Sequence, residues 1–186
     1  MATNKPAICV FCGSAAGLDP AFSDAAARMG RLIGEAGAKL VFGGGGHGLM
    51  GETAMAARKA GAEIVGIMPD FLRAYELPPS WERELILTPD MPQRKTQLMD
   101  VSDAFVVLPG GPGTIDEFFE VLVAASLGVL SKPIVAVNVK GYFTPLEALM
   151  AHMEANGFVR EGVRELYRLV DTPEDAMVHI AEFLRR

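Results

Sequence analysis

Ala104-Phe105-Val106-Val107-Leu108 runs directly into Pro109-Gly110-Gly111-Pro112-Gly113-Thr114, and the residues from Thr114 to Leu127 follow a helical pattern that Gly128 stops. A short, unbroken apolar run of this kind suits a strand buried on both faces of a sheet. The glycines let the chain turn sharply after the strand, and a helix follows. The same order recurs upstream. Leu40-Val41-Phe42 enters Gly43-Gly44-Gly45-Gly46-His47-Gly48, and a helix is expected from Leu49 to Ala60 with Gly61 as its stop.

Working outward, further apolar runs suited to buried strands lie at Ala7 to Phe11, Ile64 to Met68, Leu85 to Leu87, Ile134 to Val137 and Leu169 to Val170. Asp19 followed by Pro20 is an N-cap with proline at the first helical position, and Gly37 closes that helix about four turns later. Gln93 to Val101 reads as another helix, and Thr172 with Pro173 opens a last one. Strands alternating with helices of this length indicate βαβ units and a parallel sheet covered on both faces. The expected fold is α/β, a doubly wound, Rossmann-like domain spanning residues 1–186. Tyr75 to Trp81, with Pro78 and Pro79, reads as a surface loop. Ligands of such sheets bind beyond the carboxyl ends of the strands, where both glycine loops fall.

Composition narrows the function. The chain has 186 residues, half of them hydrophobic, and can bury roughly 70% of its unfolded surface without disulfides or metals. Its 17 basic and 23 acidic residues give a net charge of −6, which argues against nonspecific attraction to nucleic acid or anionic membranes. No run of about 18 apolar residues occurs, and Met1 to Pro6 lacks the basic-then-apolar order of a secretory signal, so a cytoplasmic protein is expected. Cys9 and Cys12 have redox-motif spacing. They lie in a strand rather than at a helix start, which makes them core side chains facing opposite sides of the sheet. His47, His152 and His179 form no metal-spaced pair, and no metal or cofactor is expected.

Any phosphate must therefore be held by local geometry. Both glycine loops can offer backbone N–H groups at a helix start, and Thr114 can cap the helix or donate its hydroxyl. The P-loop pattern fails because no lysine follows the glycines. Gly43, Gly45 and Gly48 do match the dinucleotide fingerprint, but after the second strand, and Glu63 begins the next strand instead of ending it. Asp116, Glu117 and Glu120 follow the second loop closely and would repel a phosphate bound there. Helical spacing lets Glu117 and Glu120 share a face toward a pocket while Asp116 turns away. The nearest cations, Arg94-Lys95, start a helix, where they oppose its dipole; such a local conflict at a strand's carboxyl end is expected of a functional site.

Taken together, Gly43-Gly44-Gly45 with Gly48-Leu49-Met50-Gly51, Met91 with Arg94-Lys95, and Pro109-Gly110-Gly111-x-Gly113-Thr114-x-x-Glu117 resemble the LOG (Lonely Guy) family of cytokinin riboside 5'-monophosphate phosphoribohydrolases. The resemblance extends to Cys9-Val10-Phe11-Cys12-Gly13-Ser14 and to Gly141-Tyr142-Phe143 with Pro145-Leu146. It implies a Rossmann-like homodimer that acts on AMP-like nucleotides without a metal or redox cofactor; members have often been labelled lysine decarboxylases. By the same resemblance, Arg94 and Glu117 are the catalytic pair. Lys95, Glu76 and the stretch Gly111 to Glu117 contact substrate, as do Gly110, Gly113, Thr114 and Met91. Gly45, Gly48 and Met50 shape the pocket, and Glu120 supports it. The chain departs from the family's usual pattern at Pro79, Pro92, Val123 and Ala124-Ala125-Ser126, positions expected beside the pocket.

The expected reaction is hydrolysis of the N-glycosidic bond of a purine nucleoside 5'-monophosphate, through an oxocarbenium-like transition state. Glu117 either orients water or attacks directly, and Arg94 either positions the ribose phosphate or assists the leaving base. A noncatalytic nucleotide-binding or regulatory module is the alternative from another class. Lysine decarboxylation would need a cofactor-linked lysine, for which Lys39, Lys59, Lys95, Lys132 and Lys140 offer no recognisable context.

Overall fold

Each of the seven apolar runs forms a strand; the five inner ones are largely covered on both faces, as apolar runs inside a parallel sheet are, while Ile86 and Leu87 of one edge strand and Arg168 of the other stay exposed. A computed structural model describes residues 5–76 and 85–185. Its strands are Ala7–Phe11 (β1), Lys39–Phe42 (β2), Ile64–Pro69 (β3), Leu85–Thr88 (β4), Ala104–Val107 (β5), Ile134–Val137 (β6) and Arg168–Val170 (β7). They form one sheet in the order β4-β3-β2-β1-β5-β6-β7, and every pairing is parallel. The helices are Pro20–Glu35 (α1), Gly48–Lys59 (α2), Arg73–Glu76 (α3), Met91–Val101 (α4), Pro112–Ser126 (α5), Thr144–Ala155 (α6) and Pro173–Leu184 (α7). None of the described helices is long and apolar enough to cross a membrane.

Two hydrophobic clusters lie on the two faces of the sheet. Ile8, Val10, Leu40 and Val106 pack with Met29 and Ile33 of α1, Leu49 and Ala57 of α2, and Ile180 of α7. Phe11, Val41, Phe105 and Val107 pack with Leu98 of α4, Phe118 and Leu122 of α5, and Met150 of α6. The expected doubly wound architecture is what forms. Cys9 and Cys12 are both free and buried, one in each cluster, so the core reading of the pair holds.

Helix starts differ from the sequence expectations in a consistent direction. At α1 the Asp19 carboxylate accepts from the Ala21 N–H at 2.9 Å with Pro20 in the first turn, as expected. Two others begin earlier than expected, at Met91 rather than Gln93 and at Pro112 rather than Thr114. Gly111 is the N-cap of α5, so Thr114 sits inside its first turn and does not cap it. The surface loop expected from Tyr75 begins inside α3 instead, and its remainder, including Pro78, Pro79 and Trp81, lies outside the described residues.

The two helices before β3 are pressed together at glycine. A Cβ at Gly30 would lie 2.1 Å from the Thr53 carbonyl oxygen, and one at Gly34 would lie 2.5 Å from the Ala60 Cβ. Gly30→Ala should therefore destabilise the fold although alanine favours helices, because backbone must move to admit the methyl group. Thermal unfolding checks this. The expected cost is about 1–3 kcal/mol, visible as a Tm lowered by several degrees, and an unchanged or raised Tm would contradict the packing.

Candidate active site

The chain winds outward from β1 to β4 and then returns to lay β5 against the other side of β1, so the carboxyl ends of β1 and β5 flank a topological switch point. Three loops meet there. Gly13, just past β1, donates its N–H to the Pro109 carbonyl at 3.0 Å and accepts from the Met50 N–H at 3.2 Å. Side chains are excluded at these crossings. A Cβ on Gly110 would come within 2.1 Å of the Thr114 hydroxyl oxygen and 2.8 Å of the Gly13 nitrogen. Gly48 adopts φ +56°, and a Cβ there would lie 2.3 Å from the Ser14 carbonyl oxygen.

The loops enclose a cleft of about 240 Å³ lined by Cys12, Gly13, Ser14, Gly43, Met50, Leu72, Met91, Arg94, Gly111, Pro112, Gly113, Thr114, Asp116 and Glu117. Of the residues picked out in the sequence, Met50, Met91, Arg94, Gly111, Gly113, Thr114 and Glu117 are brought together around it. Gly45, Gly48 and Gly110 are not among its lining residues. Glu76 ends α3, and its side chain lies outside what the structure describes.

Arg94 and Glu117 form a buried ion pair on this cleft. Arg94 Nη1 lies 2.7 Å from Glu117 Oε1, with both side chains 10% exposed. Arg94 Nε donates to the carbonyl of Ile67, within β3, at 3.0 Å. Its other guanidinium nitrogen occupies the space left by the missing side chain of Gly43, where a Cβ would lie 2.4 Å from Nη2. Burial pushes the Glu117 carboxyl above its ordinary value of 4.5, while the Arg94 charge opposes that shift and Asp116 adds to it. Among the described residues no cluster of three metal-ligating side chains occurs.

Lys95 turns the other way. Its Nζ lies 2.5 Å from Glu120 Oε2 and 3.3 Å from Asp116 Oδ2, and neither Lys95 nor Glu120 lines the cleft. The hydrogen bond to Glu120 raises the Lys95 pKa. The orientation expected of the acidic cluster is thus corrected. Asp116 lines the cleft at its rim, whereas Glu120 lies one turn further along α5 and is held by Lys95. Val123 is 52% exposed and lies on a surface groove with Phe119, Ala124 and Leu127, away from the cleft. Exposed Pro92 likewise does not line it. Cys12, Gly13, Ser14 and Leu72 line the cleft without having been expected as site residues, whereas Asp116 falls within the expected stretch Gly111 to Glu117. The carboxyl end of the central strand β1 was the available signal for the first three.

Residues 50–180 match the family model described as possible lysine decarboxylase. A cytokinin riboside 5'-monophosphate phosphoribohydrolase of Arabidopsis thaliana is 36% identical over 95% of this chain and 82% of its own length. One from Oryza sativa subsp. japonica is 34% identical over 95% of this chain and 73% of its own. Among solved structures, the molybdenum cofactor binding protein of Rippkaea orientalis superposes with a TM-score of 0.74 at 22% identity, covering 98% of this chain and 99% of that one. At that identity the likeness shows a shared fold.

The ion pair makes a prediction about stability. Arg94→Leu leaves the Glu117 carboxyl buried without its partner, at a cost of about 3–5 kcal/mol near neutral pH. Losing Arg94 raises the folded-state pKa of Glu117 further above its unfolded value. Folding then takes up a proton, so the deficit against wild type is largest at neutral pH and shrinks as pH falls and the carboxyl becomes neutral. Urea titrations across pH should show this, and Arg94→Leu/Glu117→Leu should recover most of the loss. A deficit independent of pH would show that the charge is not what matters.

Proposed function

The chain belongs to the LOG family of cytokinin riboside 5'-monophosphate phosphoribohydrolases, and from that membership we propose that it hydrolyses the N-glycosidic bond of purine nucleoside 5'-monophosphates, plain or N6-substituted. The products are the free base and ribose 5-phosphate. The observation that best supports this reading is the buried Arg94–Glu117 pair, set in a cleft whose other wall is the glycine-rich start of α5. In a noncatalytic nucleotide-binding module the same carboxylate would only hold ribose hydroxyls, and release of free base separates the two readings.

In this proposal the phosphate takes the amides of Gly111 and Gly113 and the Thr114 hydroxyl, at a helix start whose dipole favours an anion. Gly110, Gly45 and Gly48 set the backbone around it, and Met50, Met91 and Glu76 border the rest of the nucleotide. The ribose lies over Glu117. As the bond from C1' to the base nitrogen lengthens, positive charge grows on the sugar, and the carboxylate stabilises it. Water supplies the oxygen that bonds to C1', and its proton ends on the departing base. Arg94 is immobilised between the Ile67 carbonyl and Glu117, which favours holding the carboxylate and meeting the base over following the phosphate. Lys95 and Glu120 brace α4 against α5, so their contribution to substrate binding is indirect.

Lysine decarboxylation draws no support from the site. A Schiff-base lysine needs a depressed pKa, and Lys95, beside the cleft, is raised by Glu120. The same proposal includes a cytoplasmic homodimer. Val123, Leu127 and Val129, all more than half exposed, adjoin Met99 and Phe119 in one apolar groove that a second copy can cover.

Liberated base is the readout for a panel of nucleoside monophosphates with and without N6 substituents. No release from any of them would leave the binding-module reading in its place. Glu117→Gln should keep the fold and lower kcat/KM by about 10²- to 10³-fold or more. Adenosine should be a far poorer substrate than AMP, since phosphate binding positions the reacting centre; equal turnover would remove the role given to the glycine loop. The pH profile follows from the direction of the Glu117 shift. Activity needs the ionised carboxylate and is lost as pH falls through its raised pKa, so the acid limb of kcat/KM should lie above 4.5.

A further inference from the structure

A hydrogen bond from outside the cleft reaches a peptide at its edge. Tyr142, in the turn between β6 and α6, donates its hydroxyl to the Gly110 carbonyl oxygen at 2.6 Å. No peptide bond among the described residues is cis. In a trans peptide the carbonyl and the following N–H point in opposite directions, so fixing the Gly110 carbonyl toward Tyr142 fixes the Gly111 N–H on the other side. Gly111 lines the cleft, and Tyr142 does not. As the N-cap of α5, Gly111 also has no intrahelical acceptor for its N–H. With glycine at 110 and 111, backbone torsion alone imposes little on this peptide plane.

The surroundings of Tyr142 are built to hold it. Lys140 at φ 54° and Gly141 at φ 75° turn the chain in succession, and the Asn138 side chain accepts from the Phe143 N–H at 2.7 Å. Phe143 is buried below. The Tyr142 ring meets Phe22 of α1 edge-on at 5.6 Å and Phe143 at 5.2 Å. Its ring is therefore braced by Phe22 and Phe143 while its hydroxyl reaches the loop.

We infer that Tyr142 is a positioning residue for phosphate recognition, holding the Gly110-Gly111 peptide so that its N–H faces the bound phosphate. This rests on the proposed role of the α5 glycine loop. Tyr142→Phe removes the hydroxyl and keeps both ring contacts, so the Tm should be unchanged. With AMP as substrate, KM should rise roughly two- to tenfold, the range of one hydrogen bond, with kcat nearly unchanged. Inhibition of AMP turnover by ribose 5-phosphate should weaken by the same factor, and inhibition by adenosine should not. If wild type discriminates between AMP and adenosine but the variant keeps its KM and its ribose 5-phosphate inhibition, the role of Tyr142 is overturned. The same follows if both inhibitors weaken alike, which is general damage to the site. If wild type itself does not discriminate, the reading of the glycine loop fails first.

Discussion

A guanidinium and a carboxylate largely withdrawn from water, one on α4 and one on α5, are the constraint around which this site is arranged. Desolvating two such charges costs more than an apolar pair in the same space, so the arrangement is poorly explained as a device for stability. What it secures is a carboxylate held against a guanidinium and largely shielded from water. Each neighbour serves that end. The Ile67 carbonyl takes the Arg94 Nε, the absent side chain of Gly43 makes room for the far guanidinium nitrogen, and Phe118, next to Glu117, anchors α5 in the core together with Leu122.

The same logic extends to the pair beside it. Cations near the start of α4 and anions near the start of α5 are displaced toward each other across the gap between the helices, Arg94 to Glu117 and Lys95 to Glu120 and Asp116. The unfavourable meeting of Arg94 and Lys95 with the α4 dipole is offset by charges on another helix, with the Asp90 cap on Gln93 N–H satisfying one of its free amides. The two bridges differ in kind. Asp116 is more than half exposed and screened by solvent, so its contact with Lys95 fixes geometry weakly, whereas the Arg94–Glu117 pair is shielded.

Most of the fold was legible because buried parallel strands leave an unambiguous mark. Val106 and Phe105 face opposite covered sides, and no polar residue interrupts their run. The differing helix starts share one cause: proline occupies the first turn at Pro92, Pro112 and Pro145 as it does at Pro20 and Pro173, and it places α4 and α5 two residues ahead of their apolar periodicity and marks the start of α6. That shift matters for the site, since it moves Thr114 from cap to interior. Arg94 and Glu117 could be nominated from the resemblance, but their direct contact could not. It depends on how α4 and α5 sit across the sheet, and Lys95 one residue on has equal charge and the opposite destination. Tyr142 carried no local sign of its bond to Gly110, which joins residues 32 apart.

In the proposed binding mode a carboxylate and a phosphate share one helix, and their charges are compensated from different sources. The dipole and the unpaired amides act within the first turn, which in α5 holds Pro112, Gly113 and Thr114. Glu117 stands one turn beyond Gly113, about 6 Å along the axis, where the dipole gives it little help. Its charge must be balanced from elsewhere, and Arg94 reaches it from α4. Two anionic positions thus share one helix but not one source of compensation. Their separation suits a single sugar bound by its 5'-phosphate at the helix start with its anomeric carbon above the carboxylate. On this view the repulsion that the acidic residues after the glycine loop would exert on phosphate is met by division: backbone amides take the first anion and a buried guanidinium takes the second.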